Sequence, residues 1–155
     1  MSDFLVYLAG PITHADGTNW WDEARRILEE KGFEVRDPFD KYDFGLTDDW
    51  VVIPEDGSVN EGTSHVVFDH EVVEGDKKAI DEADAILVGW DRTRRTRGTM
   101  SEITYAQDVA ETPVVMWTRK TEDPQDLDTW PRYHADSITP ELDTAIHVIE
   151  TLRSV

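Results

Sequence analysis

Apolar residues in this chain follow two rhythms. Phe4-Leu5-Val6-Tyr7-Leu8-Ala9 is an unbroken run that stops at Gly10-Pro11, which predicts a buried strand closed by a tight turn. Trp20, Ala24, Ile27 and Leu28 then recur at helical spacing, with Asn19 placed to cap that helix and Gly32 to stop it. Phe33 to Arg36 predicts a second strand, closed by Asp37-Pro38. From about Phe39 to His65 the chain is polar and rich in Gly and Asp, with a short strand expected at Val51-Val52-Ile53. A connection that long in a small domain usually covers something. Val67 to Glu82 predicts a helix with Phe68, Val72, Ala79 and Ile80 inward and Gly75 as its weak point. Ala85 to Trp90 predicts the third strand, Thr99 to Ala110 the next helix, and Pro113 to Trp117 the fourth strand. Leu142, Ala145, Ile146, Ile149 and Leu152 mark a closing amphipathic helix.

This alternation predicts one α/β domain over residues 1–155. The expected architecture is a Rossmann-like or flavodoxin-like parallel sheet of four to five strands with helices on both faces. Composition narrows the picture. Two-fifths of the 155 residues are apolar, enough for a proper core, and the lack of Cys excludes disulfides, thiolate metal sites and a Cys nucleophile. No apolar run reaches the length of a membrane span and no basic-then-apolar leader opens the chain, so a soluble cytoplasmic protein is expected. The net charge of −19 argues against binding polyanions through a basic surface. Repulsion of this strength is tolerable where salt screens it, and it reads as adaptation to a high-salt cytoplasm, with a merely solvated acidic surface as the alternative.

Chemistry concentrates at Gly98-Thr99-Met100-Ser101-Glu102. The segment follows the buried-looking strand Ala85 to Gly89, and a strand, loop and helix in that order build sites at the carboxyl ends of open α/β sheets. Glu102 is expected in the first helical turn, where unpaired backbone N–H groups favour an anion. Ordinary helix-start chemistry explains such an acid equally well.

Taken together, Tyr7-Leu8-Ala9-Gly10-Pro11 after strand one, Asp76 ahead of Ala83-Asp84-Ala85, and Gly98-Thr99 leading to Glu102 and Tyr105-Ala106 resemble the nucleoside 2-deoxyribosyltransferase family. That family has relatives that hydrolyse 2′-deoxynucleoside 5′-monophosphates. The likeness spans nearly the whole chain. It implies that Glu102 attacks C1′ of a 2-deoxyribosyl group, forming a sugar–enzyme intermediate that another nucleobase or water then captures. A carboxylate suits the oxocarbenium-like transition state of such a displacement. The resemblance gives Asp76 the place of a second carboxylate beside sugar and base, against a plain helix-surface Asp. Asp84, better suited to starting a strand, and Asp69 compete for that label. It gives Tyr7 the task of orienting Glu102, against a core tyrosine. Gly10 and Pro11 would let backbone approach the ligand, although any strand-to-loop turn needs the same pair.

Thr96 departs from the transferase pattern, in which many members carry an Asp that contacts the base. The monophosphate hydrolases have a hydroxyl there, and Thr96 sits in Arg92-Thr93-Arg94-Arg95-Thr96-Arg97. Such a loop suits a 5′-phosphate through forked guanidinium contacts, with Arg97 at its end, or it pairs with surface acids. Trp21, Trp90 and Phe39 are offered as stacking surfaces for a base, and Trp20 as core. In the family a neighbouring subunit often completes the site from the loop after strand four, here Glu122 to Ser137 with Trp130, Arg132, Tyr133 and His134. A homodimer or larger homo-oligomer follows as an expectation. The five His show no metal-ligand spacing, so neither a metal nor another cofactor is expected. The resulting expectation is transfer of deoxyribose between nucleobases, with Gly98 and Thr99 lining the substrate. Hydrolysis of a deoxynucleoside 5′-monophosphate and a non-catalytic nucleotide sensor are the alternatives.

Overall fold

The computed structural model describes residues 3–10, 21–37, 50–53, 65–91, 97–119 and 123–155. In chain order these form β1 (Leu5–Ala9), α1 (Trp21–Glu30), β2 (Glu34–Arg36), β3 (Trp50–Ile53), β4 (His65–Phe68), α2 (Asp69–Glu82), β5 (Ala85–Gly89), α3 (Arg97–Tyr105), β6 (Val114–Trp117), α4 (Thr129–His134), β7 (Ser137–Thr139) and α5 (Leu142–Arg153). A π-helical stretch, Ala106–Ala110, prolongs α3, and a 3₁₀ turn at Pro124–Asp126 precedes α4.

The main sheet has five parallel strands in the order β2-β1-β5-β6-β7, and β3 and β4 make a separate parallel pair. Read by position in the main sheet, the order is 2-1-3-4-5, the flavodoxin-like arrangement. Strand succession reverses between β1 and β5, where Val6 pairs with Ala85 and Ala9 with Val88. The carboxyl ends of those two strands flank the crevice in which folds of this kind bind ligands.

Two apolar layers sandwich the sheet, as alternation along the strands requires. Val6 and Leu8 face one layer with Trp21, Ala24 and Leu28 of α1 and Ala145, Ile146 and Ile149 of α5. Tyr7 and Ala9 face the other, with Ala79, Ile80 and Ala83 at the end of α2 and Ile103 of α3. The stop of α1 matches the expectation at Gly32, whose φ is +89°. The N–H of Phe33 bonds the Leu28 carbonyl and that of Gly32 bonds Glu29, the paired closure that a left-handed residue permits. Two aspartates fix strand starts in the same way. Asp84, one residue before β5, accepts the Leu5 N–H at 2.8 Å, and Asp136, one residue before β7, accepts the Val114 N–H at 2.7 Å. Asp84 therefore ties β5 to β1 at the amino edge of the sheet, as a strand-starting residue does.

Three expectations change. Val67 and Phe68 belong to β4 rather than to a helix, because this short β-branched run pairs with Val52 and Ile53, and α2 begins at Asp69. On α1 the expected Ala24 and Leu28 are buried and Ile27 packs partly buried against the same layer, Trp21 joins them, and Trp20 lies outside the described residues. The segment after β6 holds α4 and a fifth strand, β7, although its sequence shows no clear period. The helix after β5 starts at Arg97, two residues before the expected Thr99. Among the described residues no helix is long and apolar enough to cross a membrane.

Candidate active site

β1 is an interior strand of the sheet, between β2 and β5, and its third residue, Tyr7, turns toward the α2–α3 layer. The ring is 1% exposed. A phenol buried that deeply needs a partner for its hydroxyl. It donates to Oε2 of Glu102 at 2.8 Å, joining β1 to α3 across 95 residues of sequence. Glu102 is half-buried. As the sixth residue of α3 it stands in the second turn, and the first turn holds no acid. The expectation that unpaired N–H groups at the helix start hold Glu102 as an anion is therefore corrected. The Tyr7 hydroxyl supplies a donor where the helix terminus does not.

Thr99 is buried one turn before Glu102, and Gly98 is exposed. Among the described residues a Cβ added at Gly98 would meet nothing within 4 Å. Arg97 is the first residue of that helix. Gly10, buried, follows β1 at the carboxyl edge of the sheet, beside the reversal of strand order. Asp76 is half-buried in α2, three, four and seven residues before the buried Ala79, Ile80 and Ala83. Helical spacing puts it on their stripe, toward the layer that also contains Tyr7. A second tie joins the two helices, the Tyr105 hydroxyl donating to Asp81 at 2.9 Å with Lys77 over the Tyr105 ring.

Other expected contributors lie elsewhere. Trp90 is 6% exposed and packs into the Tyr7 layer, and Trp21 packs into the opposite layer. His134, 3% exposed, ends α4. Its Nδ1 faces the Trp130 carbonyl at 2.9 Å and its Nε2 faces Asp108 at 3.3 Å, and its ring stacks on Trp130. Both ring nitrogens thus face partners within the chain, joining α4 to the π-helical end of α3. Pro11, Phe39 and Thr96 lie outside the described residues. Among the described residues no three His, Asp or Glu side chains are grouped to hold a metal.

The sequence reading passed over Asp91 and Arg119, which form an ion pair at the carboxyl ends of β5 and β6. The available signal was an acid placed directly after an otherwise apolar strand, a position where a charge ends up beside the core.

The model of the nucleoside 2-deoxyribosyltransferase family matches residues 6–134, a span holding Tyr7, Asp76 and Glu102. The chain belongs to that family. Its members transfer or hydrolyse glycosyl groups and act on nucleosides and nucleobases. Among solved structures, the 2-deoxyribosyltransferase of the psychrotolerant bacterium Bacillus psychrosaccharolyticus is similar in fold, with a TM-score of 0.63 and 15% identity over 90% of this chain and 88% of that one. A conserved protein from Enterococcus faecalis V583 is similar with a TM-score of 0.51 and 15% identity over 95% of this chain and 88% of that one. No curated protein sequence matches.

Proposed function

We propose that this chain is a nucleoside 2-deoxyribosyltransferase that works through a covalent deoxyribosyl–Glu102 intermediate. The observation that carries the reading is the 2.8 Å bond from the Tyr7 hydroxyl to Glu102 Oε2, beside the point where the strand order reverses. A carboxylate held in one rotamer by a buried phenol is oriented before substrate arrives, which lowers the entropic part of the barrier. A Glu102 oxygen forms a bond to C1′ as the N-glycosidic bond breaks. The departing base nitrogen takes a proton, delivered by Asp76. An acceptor base then attacks C1′ from the other side, releases Glu102 and returns its proton to Asp76. Two displacements on one carbon retain the anomeric configuration. Tyr7 also stabilises the carboxylate when it leaves in the second step. Gly10, Gly98 and Thr99 line the sugar side, with the open surface at Gly98 as the approach.

The test is an incubation in molar salt of a 2′-deoxynucleoside with and without a free acceptor base, resolved by chromatography. Base exchange without free sugar is expected, together with a sugar adduct on Glu102 in protein quenched before acceptor is added. Turnover only of a deoxynucleoside 5′-monophosphate would replace transfer by hydrolysis, the reading that Thr96 and the four arginines of 92–97 favour. Tight nucleotide binding without turnover would make the protein a sensor. Full activity in Glu102→Ala would remove Glu102 as the nucleophile.

A further inference from the structure

Two large aromatic side chains stand in water where α4 meets the end of α3. Trp130 is 66% exposed and Tyr133 73%. The Trp130 ring lies 4° from the plane of His134 with centroids 5.5 Å apart, and Tyr133 meets the same imidazole at 73° and 4.9 Å. The two exposed rings are therefore close to perpendicular, with the buried His134 as their corner. His134 is itself placed by the Trp130 carbonyl at Nδ1 and by Asp108 at Nε2. Asp108 comes from the π-helical stretch Ala106–Ala110, and such turns are rare and gather at functional sites. Among the described residues, Asp108, Thr129, Trp130, Tyr133 and His134 line a concavity of about 330 Å³.

Contiguous apolar faces left in water mark interaction sites. Charge says which ligand suits this one. An aromatic face attracts cations, and a cation coated in methyl groups gains from burial against the ring as well. Asp108 is half exposed and adds a formal negative charge beside the rings. Asp123, Asp126 and Asp128 lead into α4, and a chain of net charge −19 concentrates small cations at its surface while repelling anions. The arginine of α4, Arg132, is turned back onto the Leu127 carbonyl at 2.6 Å.

From this geometry we infer that α4 and the π-helical end of α3 form a binding site for a small organic cation of the alkylated-ammonium class. The cation's methylated head rests in the corner between Trp130 and Tyr133, with Asp108 as its counter-ion. The site is separate from Tyr7 and Glu102, and the inference does not depend on the reading of Glu102 as a nucleophile.

The test titrates the full chain with choline chloride and, separately, with the neutral alcohol in which carbon replaces the choline nitrogen. Both titrations are run in about 1 M NaCl, where a screening length of about 3 Å suppresses general attraction to the acidic surface. The indole N–H resonance of Trp130 localises binding, and broadening of the ligand's methyl signal measures affinity in every variant. Choline is expected to shift the Trp130 resonance saturably with a Kd of about 10 mM or tighter, and the neutral alcohol to bind about tenfold more weakly. Trp130→Ala and Tyr133→Ala should each weaken choline about tenfold, and Asp108→Asn about threefold. Tyr133→Ala and Asp108→Asn, at more exposed or shape-conserving positions, keep the test decisive should Trp130→Ala fail to fold. Equal affinity for choline and the neutral alcohol would overturn the inference, as would choline binding unchanged in Tyr133→Ala and Asp108→Asn. Self-association that Tyr133→Ala abolishes, in a parent whose Trp130 resonance choline does not move, would assign the surface to a second copy of the chain and equally overturn it.

Discussion

The two faces of the sheet are built from one set of strands and differ in kind. Toward α1 and α5, β1 presents Val6 and Leu8 to a layer of wholly apolar side chains. Toward α2 and α3 it presents Tyr7 and Ala9, and buried or half-buried polar groups collect there: the Tyr7 hydroxyl, Glu102, Thr99 and Asp76. A one-residue step along β1 thus separates a face of apolar packing from a face that gathers polar groups. Parallel strands covered on both sides tolerate this because each side chain sees only its own layer. Polar groups on the second face are costly unless partnered, and the Tyr7–Glu102 bond is such a partnership.

Substitutions on the two faces should therefore separate activity from stability. The largest effect is expected from Glu102→Gln, which keeps shape but removes the proposed nucleophile and should lower turnover by at least about 10³-fold with Tm little changed. A stability loss as large as the activity loss would erase the contrast between faces. Leu28→Ala, on the opposite face and fully buried, should cost about 2–5 kcal/mol in chemical denaturation while turnover per folded molecule holds. Tyr7→Phe removes only a hydroxyl. A hydrogen bond to a charged group contributes about 1.5–3 kcal/mol, so kcat should fall roughly 10- to 100-fold. An unaltered kcat would reduce Tyr7 to a core tyrosine. Raising salt from about 0.1 M to 1 M shortens the screening length from about 10 Å to 3 Å. With a net charge of −19, Tm should rise in both the parent and Leu28→Ala, and a falling Tm would contradict the reading of the acidic surface.

The smallest effect concerns Tyr105. Its bond to Asp81, then burial and the charges of Asp81 and Glu74, raise its pKa above the ordinary 10.0. The folded state thus holds this proton more tightly than the unfolded chain. The stabilisation is fully present below the unfolded value and is lost as pH rises through the folded one. Tyr105→Phe should flatten that alkaline loss in denaturation midpoints measured over roughly pH 8 to 11.

Local rules reached much of the fold. The run from Phe4 to Ala9, the helix stop at Gly32 and the periodic stripe of α5 each encode their element within a few residues. The failures share one cause, dependence on distant partners. Val67 and Phe68 fit a helix or a strand by spacing, and only pairing with β3 decides. Ser137-Ile138-Thr139 has one large apolar residue and becomes β7 because β6 leaves an edge to pair with. The pairing of Tyr7 with Glu102, 95 residues apart, was reached through family resemblance, since no local rule joins them. The placement of Trp90 in the core, the His134–Asp108 clamp and the Asp91–Arg119 pair were hidden for the same reason.

That separation has a consequence for how the chain acquires function. A contact spanning 95 residues closes only after a large loss of chain entropy, and here it depends on β1 settling beside β5 in register. Helices and the β5–β6 pair involve shorter closures and can form earlier. In a refolding experiment, recovery of turnover would then trail recovery of helical signal, and a ribosome-bound chain ending before β5 would have a tyrosine poised for a carboxylate that has not yet been synthesised.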